Sequence, residues 1–408
     1  MEIKPLTFLV GPNSSGKSSV FQAILALKQT VESGDQQSPL ILQDYVDLGS
    51  YKDVFFNHDT GKDIRIDFEN LSLIKWSVTY SVQEHKKTPG KIVVNSFEFS
   101  NRNPADVFID EKFPVPDNLR IVKEEKSHKY RIELDGQHSI PGTFFDLKKF
   151  YNISPKEISE PSTREMKLLS FLFPVIRVIT EELFEHVYHI GPLRHEPERV
   201  YSASGTYPQS VGKYGQWTME ILQHDEELRN IISKWLKRFK MPIDFMLEEL
   251  KGSGRYEVVL KDYFTKTKVN LADVGFGTSQ ILPIIVQGFT SPEYSTLLIE
   301  QPEIHLHPKA QCVMGDLLVD IIKTKNRRLI IETHSDLLIE RVCKHILLKD
   351  EKKNIKPEDV IIYYFEPTKD GTEIRTITVN ENAQFENFPE GFFEERFEEA
   401  LARAELME

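Results

Sequence analysis

The sequence predicts an α/β fold built on a mixed sheet, with a β-rich lobe and an inserted helical region. Three observations carry this. The apolar runs Phe8-Leu9-Val10, Leu297-Leu298-Ile299 and Leu329-Ile330-Ile331 read as buried parallel strands. From Asp63 to Gly136 that pattern gives way to short alternating runs. The first apolar run breaks at Gly11 into Gly11-Pro12-Asn13-Ser14-Ser15-Gly16-Lys17-Ser18, the G-x-x-x-x-G-K-[ST] phosphate loop, and then opens a helix over about Ser18–Leu27.

In chain order, Ser33–Pro39 is a polar loop, and short strand or turn pieces follow at 46–50 and 53–56. Ile64–Phe68, Trp76–Tyr80, Ser96–Phe99 and Tyr130–Leu134 alternate, and Ile92–Val94 adds a β-branched run. Pro89-Gly90 and Asp135-Gly136 supply turns, so the region reads as an antiparallel meander with one solvated face. Phe144–Tyr188 reads as helical, and Val187–Ile190 returns to a strand. Helices are expected over Gln216–Gln223 and Glu226–Phe239, followed by a hairpin around Gly252–Val269. The expected divisions are 1–60 and 251–356 as the two parts of one core, 61–143 as the β-rich lobe, 144–250 as the helical insertion and 357–408 as a small C-terminal domain.

Composition narrows the function classes. The 408 residues are 40% hydrophobic and 28% charged, ordinary for a globular chain with a sizeable core. A net charge of −12 argues against nonspecific coating of nucleic acid, though a local basic patch at Lys323, Lys325, Arg327 and Arg328 reads either as a solvated loop or as a nucleic-acid contact. Two cysteines, Cys312 and Cys343, are too few for a disulfide framework and fit a reducing cytoplasm. The longest apolar run, Leu168–Ile179, contains Pro174 and Arg177, so no membrane span is expected.

The phosphate loop has a mechanical logic. Its glycines let the backbone curl so that the N–H groups of Asn13 to Ser19 turn toward phosphate oxygens, and the helix N-terminus adds its positive dipole end. Lys17 would reach the β/γ-phosphates and Ser18 would hold a hydrated Mg²⁺. Ser295-Thr296-Leu297-Leu298-Ile299-Glu300 has the form of a Walker B strand, whose carboxylate accepts a hydrogen bond from Mg²⁺-bound water beside Ser18. Arg328–Glu332 is a second buried strand and delivers His334 at its carboxyl end, where ligands sit in open parallel sheets. Upstream, Gly275-Phe276-Gly277-Thr278-Ser279-Gln280 is a Gly-rich turn opening a helix, a second candidate anion site, with Pro283 expected in its first turn. Taken singly, Glu300 could only end a strand, His334 could be a core histidine and the Gly277 turn could be only a turn; the order of the four features favours one shared site. His305-Leu306-His307 has metal-ligand spacing, but lacks an evident third ligand.

Gly11–Ser19, Ile299-Glu300-Gln301-Pro302-Glu303-Ile304-His305-Leu306-His307-Pro308 and Glu332-Thr333-His334-Ser335-Asp336 together resemble ABC-type AAA ATPases. The resembled group is the SMC/RecF/OLD-like one, which includes ATPase subunits of the anti-phage systems Septu, Gabija and PARIS. Thr378–Asn380 through Phe388–Phe393 looks like the small C-terminal domain of unknown function carried by one branch. The resemblance implies a P-loop NTPase of ABC head type that dimerises head-to-tail around two ATP molecules, as a homodimer or higher homo-oligomer. Lys17, Ser18 and Glu300 of one subunit would bind MgATP. Gly277, Thr278, Ser279 and Gln280 of the other would close on the γ-phosphate, and His334 would sense it.

Four departures from the family pattern matter. The residue after the Walker B carboxylate is usually Glu, the base for the attacking water; here it is Gln301, which cannot take a proton, leaving Glu303 as a substitute or Gln301 as a water-positioning group. Hydrolysis should then be slow or partner-activated. Thr278-Ser279 stands where the signature turn often has two glycines. Met1 lies almost at the phosphate-loop strand, where the family carries an extra strand, which raises a truncated or alternative start and leaves adenine contacts unassigned. About 74 residues follow His334, too few for a fused nuclease when domains run to roughly 50–250 residues. The expected function is therefore an ATP-hydrolysing switch that gates a partner effector, a nuclease acting in trans, in anti-phage defence, with nucleic acid as a further partner. The rivals are a RecF/SMC-like DNA repair ATPase and a hydrolysis-poor, ATP-dependent scaffold.

Overall fold

The computed structural model describes residues 1–35, 38–70, 74–84, 89–101, 118–123, 130–134, 145–149, 152–155, 164–348, 350 and 354–389. It forms two compact units, Met1–Ser18 with His186–Glu408, and Ser19–Glu185. The chain opens with β1 (Leu6–Val10), every residue buried, and α1 (Lys17–Glu32), longer than expected by a turn and a half.

In the Ser19–Glu185 unit, β2 (Ile64–Asn70), β3 (Ile74–Gln83), β4 (Lys91–Asn101), β5 (Asn118–Lys123) and β6 (Tyr130–Leu134) form the expected antiparallel meander in sequential order. Trp76, Val78, Tyr80, Val94, Phe97 and Ile121 are buried. Phe68 stacks on Trp76 at 5.3 Å, while Arg65, Glu98 and Arg120 form a charged ladder across β2, β4 and β5. A short hairpin, β7 (Phe145–Lys149) with β8 (Asn152–Pro155), precedes α2 (Arg164–Glu185). The helical reading of Phe144–Tyr188 is thus corrected for its first part: those runs are too short for a helical period to be told from alternation. The Asp135-Gly136 turn lies outside the described residues.

The other unit continues with β9 (Val187–Ile190), β10 (Tyr201–Ser202), α3 (Thr218–His224), α4 (Glu226–Phe239), β11 (Ile243–Leu250), β12 (Arg255–Lys261) and β13 (Lys268–Asn270). Then come α5 (Phe276–Thr290), β14 (Thr296–Glu300), α6 (Pro308–Lys325), β15 (Arg328–Glu332), α7 (Asp336–Lys344), β16 (Val360–Thr368), β17 (Gly371–Val379) and β18 (Phe385–Glu386). Seven strands make the main sheet, in the order β18-β17-β16-β1-β15-β14-β9. The five from β16 to β9 are parallel, and the β17–β18 edge is antiparallel. The fold is therefore the mixed α/β sheet that the sequence predicts. β10 to β13 form a smaller antiparallel sheet.

Residues 144–250 hold strands as well as helices, and β9 lies in the main sheet; its Val-Tyr-His-Ile run is one of the buried parallel strands. The expected boundary at 357 does not divide this sheet, because β16 pairs with β1 along Leu6–Val10. Residues from 390 on, including Gly391–Phe393, lie outside the described residues.

Two buried charges hold the helical layer of this unit. Arg327, 1% exposed, donates from Nε and Nη2 to the carbonyls of Ser291 and Phe289, satisfying groups that the end of α5 leaves open. Its place in a basic nucleic-acid contact is thereby corrected: the side chain is a helix cap. Asp316 of α6 accepts from Arg238 of α4 (2.8 Å), Arg341 of α7 (2.6 Å) and His345 (2.7 Å), tying three helices together. Pro283 lies two turns into α5, not in its first turn, and packs so closely on Gly215 that a Cβ there would meet its Cγ at 2.4 Å. Among the described residues, no helix is long and apolar enough to cross a membrane.

Candidate functional site

The parallel strands end along one edge of the sheet, and the sequence motifs collect there. Leu9, the last residue but one of β1, is in register with Glu332, and Glu332 with Glu300, so β1, β15 and β14 end close together. Beyond β1 the backbone turns through Gly11 at φ +137° and Ser14 at +60° to Gly16 at +93°. A Cβ on Gly11 would come within 2.5 Å of the Phe365 carbonyl oxygen, so only glycine fits this bend.

Lys17 is 4% exposed and donates from Nζ to the carbonyls of Gly11 (3.0 Å) and Pro12 (2.7 Å). Burial lowers its pKa, partly offset by the charge of Glu332. The Ser18 hydroxyl donates to Glu332 Oε2 at 2.9 Å. Burial raises the pKa of Glu332; the Ser18 bond opposes this and the neighbouring Glu300 charge adds to it. Sheet order explains why Glu332, not Glu300, meets Ser18: β15 lies between β1 and β14. Glu332 carried no assigned role in the sequence reading. The signal was present, a carboxylate ending a buried strand two residues before His334.

Glu300 instead meets His189 Nε2 at 2.6 Å. Arg194, just beyond β9, donates from Nη2 to the Glu300 carbonyl at 2.8 Å. It is 4% exposed, and burial brings its pKa down to about 10 against the opposing charges of Glu303 and Glu300. His189 and Arg194 escaped the sequence reading because β9 and the segment just beyond it carry no motif.

Gln301 has φ +44°, a strained value for a residue with a side chain, and its N–H donates to the Glu332 carbonyl at 2.7 Å. Glu303 Oε1 accepts from the His334 backbone N–H at 2.7 Å, while its Oε2 is buried and has no partner among the described residues. The same holds for Gln280 Oε1 and for Arg194 Nε and Nη1. The His334 side chain is exposed at the end of β15.

Gly277 packs beside the His305 carbonyl, and the Phe276 ring meets the His305 ring edge-on at 4.9 Å. The start of α5 therefore sits against the loop after β14. Thr278, Ser279 and Gln280 are buried, and Gly275 and Phe276 form the exposed part of this turn. His307 caps α6, its side chain accepting from the Lys309 N–H, which accounts for that histidine without a metal. Among the described residues, no three His, Cys, Asp or Glu side chains are grouped to hold a metal ion.

The family described as "AAA ATPase domain" matches residues 1–339, most of the chain. This chain belongs to the AAA ATPase domain family. The resemblance to ABC-type AAA ATPases is borne out at that level. A family described as a protein of unknown function, DUF3696, matches residues 355–402. No curated protein matches. The chain is also similar to the SMC head domain from Thermotoga maritima, at 10% identity over 92% of this chain and 91% of that one, with a TM-score of 0.36. An SMC head bound to the C-winged helix domain of ScpA gives 15% identity, 93% and 92% coverage and a TM-score of 0.40. An Smc head with an extended coiled coil, derived from Pyrococcus furiosus and bound to the C-terminal domain of ScpA, gives 11%, 92% and 90%, and 0.35.

Proposed function

We propose that this chain binds ATP with Mg²⁺ at the phosphate loop and hydrolyses it slowly, as a switch for dimerisation. The observation that carries the reading is the convergence of Lys17, Ser18, Glu332 and Glu300 at the ends of three adjacent parallel strands. The residues fit the ligands. Gly11 and Gly16 shape a backbone cradle, and Ser15 Oγ is buried without a partner among the described residues. Hydroxyl and carboxylate oxygens suit a hard cation that keeps several waters.

In this reading the backbone N–H groups from Asn13 to Ser19 face the phosphates, and Lys17 exchanges its loop carbonyls for phosphate oxygens. Ser18 and the Glu300–Glu332 pair would hold the hydrated metal, with His189 fixing the orientation of Glu300. Bound Mg²⁺ supplies neutralisation of charge on the phosphates. Gln301 orients a water through its amide but takes no proton. Glu303 holds the His334 loop with one oxygen, and its other oxygen is enclosed, so it serves as a clamp rather than a base. His334 offers an exposed imidazole to the γ-phosphate. The Gly277–Gln280 turn of a second copy would approach through its exposed Gly275–Phe276 start. The family resemblance adds the finer reading: the ATP-bound dimer gates a partner nuclease in anti-phage defence.

Gln301 also favours a second reading, in which ATP is held as structural glue. Phosphate release by wild type and Gln301→Glu separates the two. A throttled ATPase predicts slow release in the wild type and a rise of at least tenfold in the variant. No turnover in either protein would favour the scaffold.

A further inference from the structure

The hairpin β16–β17, within the stretch matched by the family of unknown function, touches the phosphate loop at two points. Phe365 of β16 sets its carbonyl against Gly11. Thr372, near the start of β17, donates its hydroxyl to the Ser15 carbonyl at 2.8 Å, and a Cβ on Gly16 would lie 3.1 Å from the Thr372 hydroxyl oxygen. From this we infer that Thr372 is a positioning residue for the phosphate loop, setting the direction of the Gly16 N–H and through it the affinity for nucleotide.

The argument is geometric. The Ser15 carbonyl and the Gly16 N–H belong to one planar peptide, which is trans, so they point in opposite directions. Thr372 holds the carbonyl toward the β16–β17 hairpin, which turns the Gly16 N–H away from that hairpin and, in the nucleotide reading, toward the phosphate oxygens. Gly16, at φ +93°, has no Cβ to resist rotation of that peptide. A rotated peptide would aim a carbonyl dipole at the anion and remove one donor. Thr372 is otherwise exposed, so its hydroxyl adds nothing to the core.

This inference rests on the nucleotide reading, and its test separates the two. MgATP dissociation constants and nucleotide-free melting temperatures are measured for wild type, Thr372→Val, Thr372→Ser and Thr376→Val, the last an exposed control on the same strand. Thr372→Val should raise the Kd about three- to tenfold, the range of one hydrogen bond. Thr372→Ser and Thr376→Val should bind as wild type does, with all melting temperatures alike. Thr372→Val binding as tightly as wild type would overturn the inference. So would equal weakening in Thr372→Ser, or weakening matched by a lowered nucleotide-free melting temperature. A wild-type chain that fails to bind MgATP would overturn the nucleotide reading, and the inference with it.

Discussion

The Ser18 hydroxyl donates to Glu332 at 2.9 Å, and in the proposed reading this sets Glu332 beside the metal together with Glu300. A carboxylate ending the strand beside the phosphate loop is better placed to share a metal with Ser18 than one a strand further away. Glu332→Gln keeps an oxygen that can accept from Ser18 and removes only the charge. The variant should bind ATP with little of the Mg²⁺ dependence of the wild type, measured by titration with and without the ion. Unchanged Mg²⁺ dependence would return the metal to Glu300 alone. At this scale the phosphate loop, Glu300, Gln301 and His334 were legible because they sit in motifs with fixed spacing. Glu332, His189, Arg194 and Thr372 were not, because each reaches the site through strand order or hairpin packing, which spacing along the chain does not encode.

Among the elements, the helical layer depends on Asp316. Burial would push its carboxyl up, but hydrogen bonds from His345 and Arg341, with the Arg341 and Arg238 charges, hold it well below the usual carboxylate range. A depressed folded pKa contributes stability that is full above the unfolded value of about 4 and is lost as pH falls through the folded one. Asp316→Asn should therefore cost about 2–3 kcal/mol in urea unfolding at pH 7, reduced from a fully buried pair because Arg238 and Arg341 are partly exposed. The gap from wild type should narrow below about pH 4. A gap independent of pH from 7 to 3 would contradict the ion-pair account. The bounds of α4 match the expected Glu226–Phe239, and β14 starts one residue after the expected Ser295. β7 and β8 did not, since strands of four or five residues carry too little pattern to compete with the helical run after them.

For the whole molecule, the fold class was legible because buried parallel strands are nearly continuous apolar runs, and few other structures tolerate them. Where those strands sit was less legible. The sheet takes β1 from the N-terminus, β9 from mid-chain and β16 from beyond the expected core, so contiguous segments map poorly onto it. The central claim is that this assembled edge is a MgATP site worked by Lys17. Equilibrium binding of ATP to wild type and Lys17→Ala, each with and without Mg²⁺, tests it most directly. The account predicts Mg²⁺-dependent binding by wild type and a loss of at least a hundredfold in Lys17→Ala, with the nucleotide-free fold retained by circular dichroism. ATP bound equally well by both proteins, or by neither, would contradict it.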